Sequence, residues 1–241
     1  MIIIGYALKR IRVLKAEDAM ALNKIVINIA IPSLIFLAMY NVDISVLPKI
    51  APIPLVCLAV GIICGLIAYI FSKIKKYPEK TRWSIITALS MFNSGFMGYP
   101  IVLGVFGGDG LIRAIFYDLG SMLLFISFGV FFLLIYSGKY STILKRALIF
   151  PPIWAVALGL IFNFLNLEIG LITANTLNYI SGAAIPLIMI SLGLSLEFKG
   201  IKENIGAAFS VSTIKLILAP LVAFLIVGIL GIKVALKNRL Q

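Results

Sequence analysis

Residues 83–107 read WSIITALSMFNSGFMGYPIVLGVFG, an apolar stretch long enough to cross a bilayer, with Asn93, Ser94, Gly95, Gly98 and Pro100 in its middle. Proline removes a backbone donor and crowds the preceding turn, and glycine lets the chain leave helical angles. Lipid cannot satisfy the amides and carbonyls so released, so irregular backbone at membrane depth persists only where protein covers it or it lines a watered cavity. Exposed helix ends in such a place bind ions or substrate. The stretch predicts a helix interrupted between about Asn93 and Pro100, and with it a transporter.

The rest of the chain has the composition of a membrane protein. Of its 241 residues 62% are hydrophobic and 12% charged, and the mean hydropathy is +1.14, outside the range of soluble domains. The net charge of +12 does not point to nucleic acid, because the basic residues cluster between apolar runs, where they orient helices. Histidine is absent, which removes the usual acid–base group and the commonest metal ligand. No metal, cofactor or enzymatic chemistry is expected. Cys57 and Cys64, seven apart on one face of an apolar run, read as packed side chains and not as a disulfide or metal pair.

Runs of about twenty apolar residues divide the chain into Met1 to Leu8, which is too short to cross alone, and 22–41, 51–72, 83–107, 111–137, 148–167, 175–196 and 206–232, about eight candidate spans in all. Lys and Arg number 14 in the loops after the odd-numbered spans and 5 on the opposite side, which places those loops in the cytoplasm. LNKIVINIAIPSLIFL from Leu22 and LNYISGAAIPLIMISL from Leu177 both place Ala-Ile-Pro shortly after Leu-Asn, and Pro32 and Pro186 correspond at a separation of 154 residues. With five spans per unit the two units are inverted, a recurrent transporter design. The expected units are 1–140 and 141–241.

Four stretches, LNKIVINIAIPSLIF, NSGFMGYPIV, GAAIPLIMISLGLSL and KLILAPLV, resemble in sequence and order the auxin efflux carrier family, which includes plant PIN-type carriers and bacterial and archaeal permeases for carboxylates. The resemblance implies an all-α polytopic fold of ten spans, a five-plus-five inverted repeat of the bile-acid-transporter type, with a broken crossover helix in the fourth span and a second in the ninth. It also implies small organic anions as substrates, moved without ATP hydrolysis. On the spacing of Pro32 and Pro100, the second crossover proline would fall near position 254, beyond Gln241. The chain is therefore expected to be truncated at both ends and not to transport by itself.

The substrate-binding candidates are Asn93, Ser94, Gly95, Gly98 and Pro100, joined by Lys215. Lys215 lies about nine residues inside the eighth span, where its charge would attract a carboxylate or pair with Asp118. Asp118 and Asn28 are the ion-coupling candidates. Asp118 is a carboxylate within the fifth span, on a face with Ser121 and Phe125, and has Arg113 as an alternative partner. Pro32 and Pro186, in apolar surroundings, read as kinks. The expected function is a secondary transporter of organic anions in the plasma membrane, with proton, sodium or no ion coupled and a homodimer as one arrangement. The alternatives are a non-transporting fragment or accessory subunit and, ranked lower for want of a ring-forming pore motif, an anion channel.

Overall fold

The computed structural model describes residues 1–136, 149–197 and 205–229, and every described regular element is helical. In chain order they are α1 (Ile2–Arg10), α2 (Asp18–Ile25), a π-helical turn (Val26–Ala30), α3 (Ile31–Tyr40), a 3-10 turn (Ile44–Val46), α4 (Leu47–Ile50), α5 (Ile53–Ile74), α6 (Glu79–Ser90), a second π turn (Ser94–Gly98) and α7 (Tyr99–Tyr136). Then follow α8 (Pro151–Phe164), α9 (Leu171–Ser195), α10 (Ile205–Thr213), a third π turn (Ile214–Leu218) and α11 (Ala219–Ile229).

Five stretches are long and apolar enough to cross a membrane: Asp18–Tyr40, Ile44–Ile74, Glu79–Phe128, Leu171–Ser195 and Phe209–Ile229. The chain is a multi-pass membrane protein. Five are found rather than eight because the fourth and fifth expected spans lie together in Glu79–Phe128, while α1 and α8 are shorter than a span. Gly107 divides that long stretch. Its φ of 68° and ψ of −158° belong to a region that glycine adopts without the clash a Cβ would bring. Tyr99 and Asp118 touch, whereas nineteen residues of straight helix would hold them about 28 Å apart. The chain therefore folds back at Gly107.

Each π turn ends two residues before a proline: Pro32, Pro100 and Pro220. The proline ring displaces the carbonyl four residues back and offers it no hydrogen, and a wider turn accommodates both effects. Pro186 sits inside α9 without such a turn.

Packing follows the small residues. α1 lies along α9, where Gly5 meets the Ile190 carbonyl and Gly193 meets the Ile2 carbonyl so closely that a Cβ at either would collide with backbone. Small residues at membrane helix contacts permit such approach. Lys9 Nζ closes the seam on the Leu196 carbonyl at 2.8 Å, and Ser191 donates to Asn23 Oδ1 at 2.5 Å, tying α9 to α2. A central cluster of Val26, Ile35, Met39, Tyr99, Ile115 and Ile188 joins α3, α7 and α9. A second, of Val56, Val60, Cys64 and Ala219 with Phe92 against it, joins α5 to α11. In the link before α4, Asp43 accepts from Ser45 Oγ at 2.8 Å and Ser45 N at 2.9 Å, and these bonds hold its carboxyl below the usual range.

Candidate functional site at the break in the fourth apolar segment

α6 stops at Ser90. Met91 is extended (φ −95°, ψ 134°), Asn93 is non-helical (φ −88°, ψ 60°), and the chain resumes as the π turn Ser94–Gly98. The interruption is thus Met91–Asn93, just N-terminal of the Gly and Pro residues that announce it. In a continuous helix the carbonyls of Ala88 and Met91 would accept from the amides of Phe92 and Gly95. Here they accept instead from Lys215 Nζ, at 2.7 and 2.6 Å. The same ammonium lies 5.6 Å from the centre of the Phe92 ring. Cationic groups suit a helix C-terminus, where the peptide dipoles leave negative charge.

The other side of the break has the opposite polarity. The turn beginning at Ser94 presents helix-start amides, and Asn93, though it precedes them, makes no side-chain cap. Ser94 Oγ donates to Asp118 Oδ1, Tyr99 Oη donates to Asp118 Oδ2 at 2.9 Å, and a Cβ built on Gly95 would stand 3.6 Å from that same oxygen. Ser121 extends the group, 3.0 Å from Ser94 Oγ and 3.2 Å from Cys57 Sγ. A carboxylate beside the start of a helix is favoured by the same dipole. The end of α6 is thus met by an ammonium from far along the chain, and the start of the next half-helix has a carboxyl group beside it, held by two hydroxyls.

Two cavities border the start of α7, at Tyr99 and Pro100. One of about 20 Å³ borders Asp118 and Tyr99, with Ile35, Met122, Phe150 and Val156 around it, which is room for a single water. The other, about 370 Å³, lies beside Pro100 and is lined by Leu34, Leu103, Gly104, Asn178 and Ser181.

Ser94, Gly95, Asp118 and Lys215 thus meet at or beside the break, Gly98 closes its π turn, and Pro100 faces the larger cavity. Asn93 is exposed at the break itself. Asn28 is elsewhere: it is exposed in the first π turn and returns its Nδ2 to the Lys24 carbonyl at 2.7 Å. Among the described residues Asp118 and Lys215 do not pair, because each is engaged on its own side of the break. Arg113 is not Asp118's partner either, since it donates to the Asp109 carbonyl at 2.9 Å. Cys57 and Cys64 are free and buried.

Sequence reasoning passed over Tyr99, although a phenol inside the NSGFMGYP stretch is a signal for a buried polar partner. It also passed over Asn163, which donates to the carbonyls of Met39, Tyr40 and Val42 at 3.0, 2.7 and 2.8 Å and so closes the end of α3. Nothing in the sequence near Asn163 names those partners.

A family model described as membrane transport protein matches residues 1–144 and 139–240. A protein of Methanothermobacter thermautotrophicus named an uncharacterized transporter is 46% identical over 223 residues, 92% of this chain and 74% of that protein. An uncharacterized transporter of Methanocaldococcus jannaschii is 36% identical over 246 residues, 100% of this chain and 80% of its own length. The uncharacterized transporter YfdV of Escherichia coli K12 is 26% identical over 239 residues, 95% of this chain and 75% of that one.

Proposed function

Since this chain belongs to the membrane transport protein family, as a permease of the auxin efflux carrier type, we propose that it is a secondary transporter moving small organic anions such as carboxylates across the plasma membrane by alternating access. The observation that carries this reading is the Met91–Asn93 break, where carbonyls released inside an apolar segment are met by Lys215, and where Asp118, beyond it, holds the hydroxyls of Ser94 and Tyr99. Asn93, Ser94, Gly95, Gly98 and Pro100 form the binding surface, and Lys215 contributes the positive potential that attracts a carboxylate. Asp118 is the candidate coupling site, charged when empty of a proton and placed on the half-helix that starts at Ser94. Two inverted units, 1–140 and 141–241, rock about this break, which acts as a crossover helix. Asn28 has a lesser claim to coupling, since its amide is spent on its own helix.

The test is uptake of labelled malate and of an indole-bearing monocarboxylate into liposomes. It is run on the chain alone and on the chain continued through the part of the Methanothermobacter relative that lies outside the aligned region. Saturable uptake lost in Asn93→Ala supports the carrier. Flux that rises linearly with concentration supports a channel, and no flux of any carboxylate from either protein rejects the assignment. Uptake by the continued protein alone assigns the 241-residue chain the role of a non-transporting part.

A further inference from the structure

The carbonyl side of the break has the make-up of a cation site. Ala88 O and Met91 O lie within hydrogen-bond distance of one nitrogen, and the face of Phe92 is next to it. Carbonyl oxygens and an aromatic face are what a weakly hydrated monovalent cation binds. The apolar cluster of Val56, Val60, Cys64 and Ala219 packs against Phe92, which fixes the ring beside the half-buried ammonium. The ammonium that fills the site comes from outside α6. Lys215 lies within the π turn Ile214–Leu218, and its contacts cross 124 to 127 residues of sequence.

We propose that Lys215 is a tethered cation occupying a carbonyl cage at the end of α6, and that a chain lacking its ammonium opens that cage to a free ammonium or alkylammonium ion. The tether makes the ion's local concentration independent of the medium. The broken helix end then stays neutralised whatever salt surrounds it, and needs no sodium or potassium there. This does not depend on which substrate, if any, is carried.

The experiment follows thermal unfolding of Lys215→Met and of the parent in chloride salts of sodium, potassium, ammonium, methylammonium and choline at equal ionic strength. The parent is expected to have the same Tm in all five. Lys215→Met is expected to unfold earlier in sodium and choline and to recover about 3–12 °C, saturably, in ammonium or methylammonium, the shift that one regained charged hydrogen bond gives a chain of this size. A variant whose Tm is the same in every salt overturns the proposal, and so does one rescued equally by choline, which is too large and too poor a donor for the cage. Should Lys215→Met be too unstable for purification in sodium, it is prepared side by side in methylammonium and in choline. Folded protein from methylammonium alone supports the cage, and equal recovery from both, or from neither, overturns it.

Discussion

The second and fourth apolar segments contain the same device with different outcomes. In each, a five-residue π turn ends two residues before a proline, Val26–Ala30 before Pro32 and Ser94–Gly98 before Pro100. Around Pro32 the helix runs on from Asp18 to Tyr40, and a local side chain, Asn28, returns to the Lys24 carbonyl four residues back. Around Pro100 the helix opens over Met91–Asn93, the released carbonyls are met by Lys215 from 124 residues away, and Asp118 holds the Ser94 hydroxyl on the other side. The third copy, Ile214–Leu218 before Pro220, also continues as helix on both sides. Pro32, Pro100 and Pro220 therefore go with a widened turn, which Pro186 lacks, and of these three the helix is open only before Pro100, where Lys215 arrives from elsewhere.

Removing those charges should break the contrast most strongly. Lys215→Met leaves two carbonyls without their charged donor and should cost roughly 1.5–3 kcal/mol, the range for hydrogen bonds to charged groups, together with carboxylate uptake. Thermal unfolding and liposome uptake measure the two effects, and a Tm equal to the parent's would deny Lys215 any part in holding the break. Asp118→Asn keeps the shape and removes the charge from the amide side. It should abolish any proton dependence of uptake while moving Tm less than Lys215→Met does, and a pH profile identical to the parent's would remove Asp118 from coupling.

Asn163→Ala probes the closed end of the Pro32 helix. Three carbonyls share that amide, so about 1–2 kcal/mol of stability should be lost with substrate affinity unchanged; altered affinity would tie this helix end to transport. The smallest effect is expected from Pro32→Ala. Its restored amide lets the π turn relax toward α, for a change of under about 1 kcal/mol, since the proline's conformational restriction is lost as the missing hydrogen bond returns. Hydrogen exchange near Val26–Ala30 checks it. A collapse of uptake as complete as that of Lys215→Met would mean that widened turns, and not the break, carry the function.

Much of this architecture can be read locally, and its limits have physical causes. The apolar run 83–107 with Asn, Gly and Pro in its middle marks where helix cannot be kept. The opening nevertheless falls at Met91–Asn93 and not over Asn93 to Pro100, because a proline disturbs the turn before it and the π turn absorbs that disturbance as far back as Ser94. Lys215 stands out by its depth in an apolar run, but its acceptors are backbone carbonyls, and carbonyls leave no mark in a sequence. Asp118 stands out likewise, and the pairings that sequence distance suggested, with Arg113 or Lys215, give way to two hydroxyls brought near by the reversal at Gly107. Pro32 and Pro186 match in sequence but not in backbone, since one follows a π turn and the other sits within α9.

The seam between α1 and α9 sets a timetable for assembly. Gly5 meets its partner around Ile190 and Gly193, and Lys9 meets Leu196, so α1 is held by a helix made nearly 190 residues later. At roughly 5–20 residues per second, the ribosome takes about 10–40 s to deliver that partner. Throughout this interval the small-residue face of α1 is without the helix that covers it, while the helices between are inserted. A lesion between α1 and residue 193 that stalls synthesis thus leaves α1 without its dock, and its uncovered Gly5 face would mark the product for quality-control proteases.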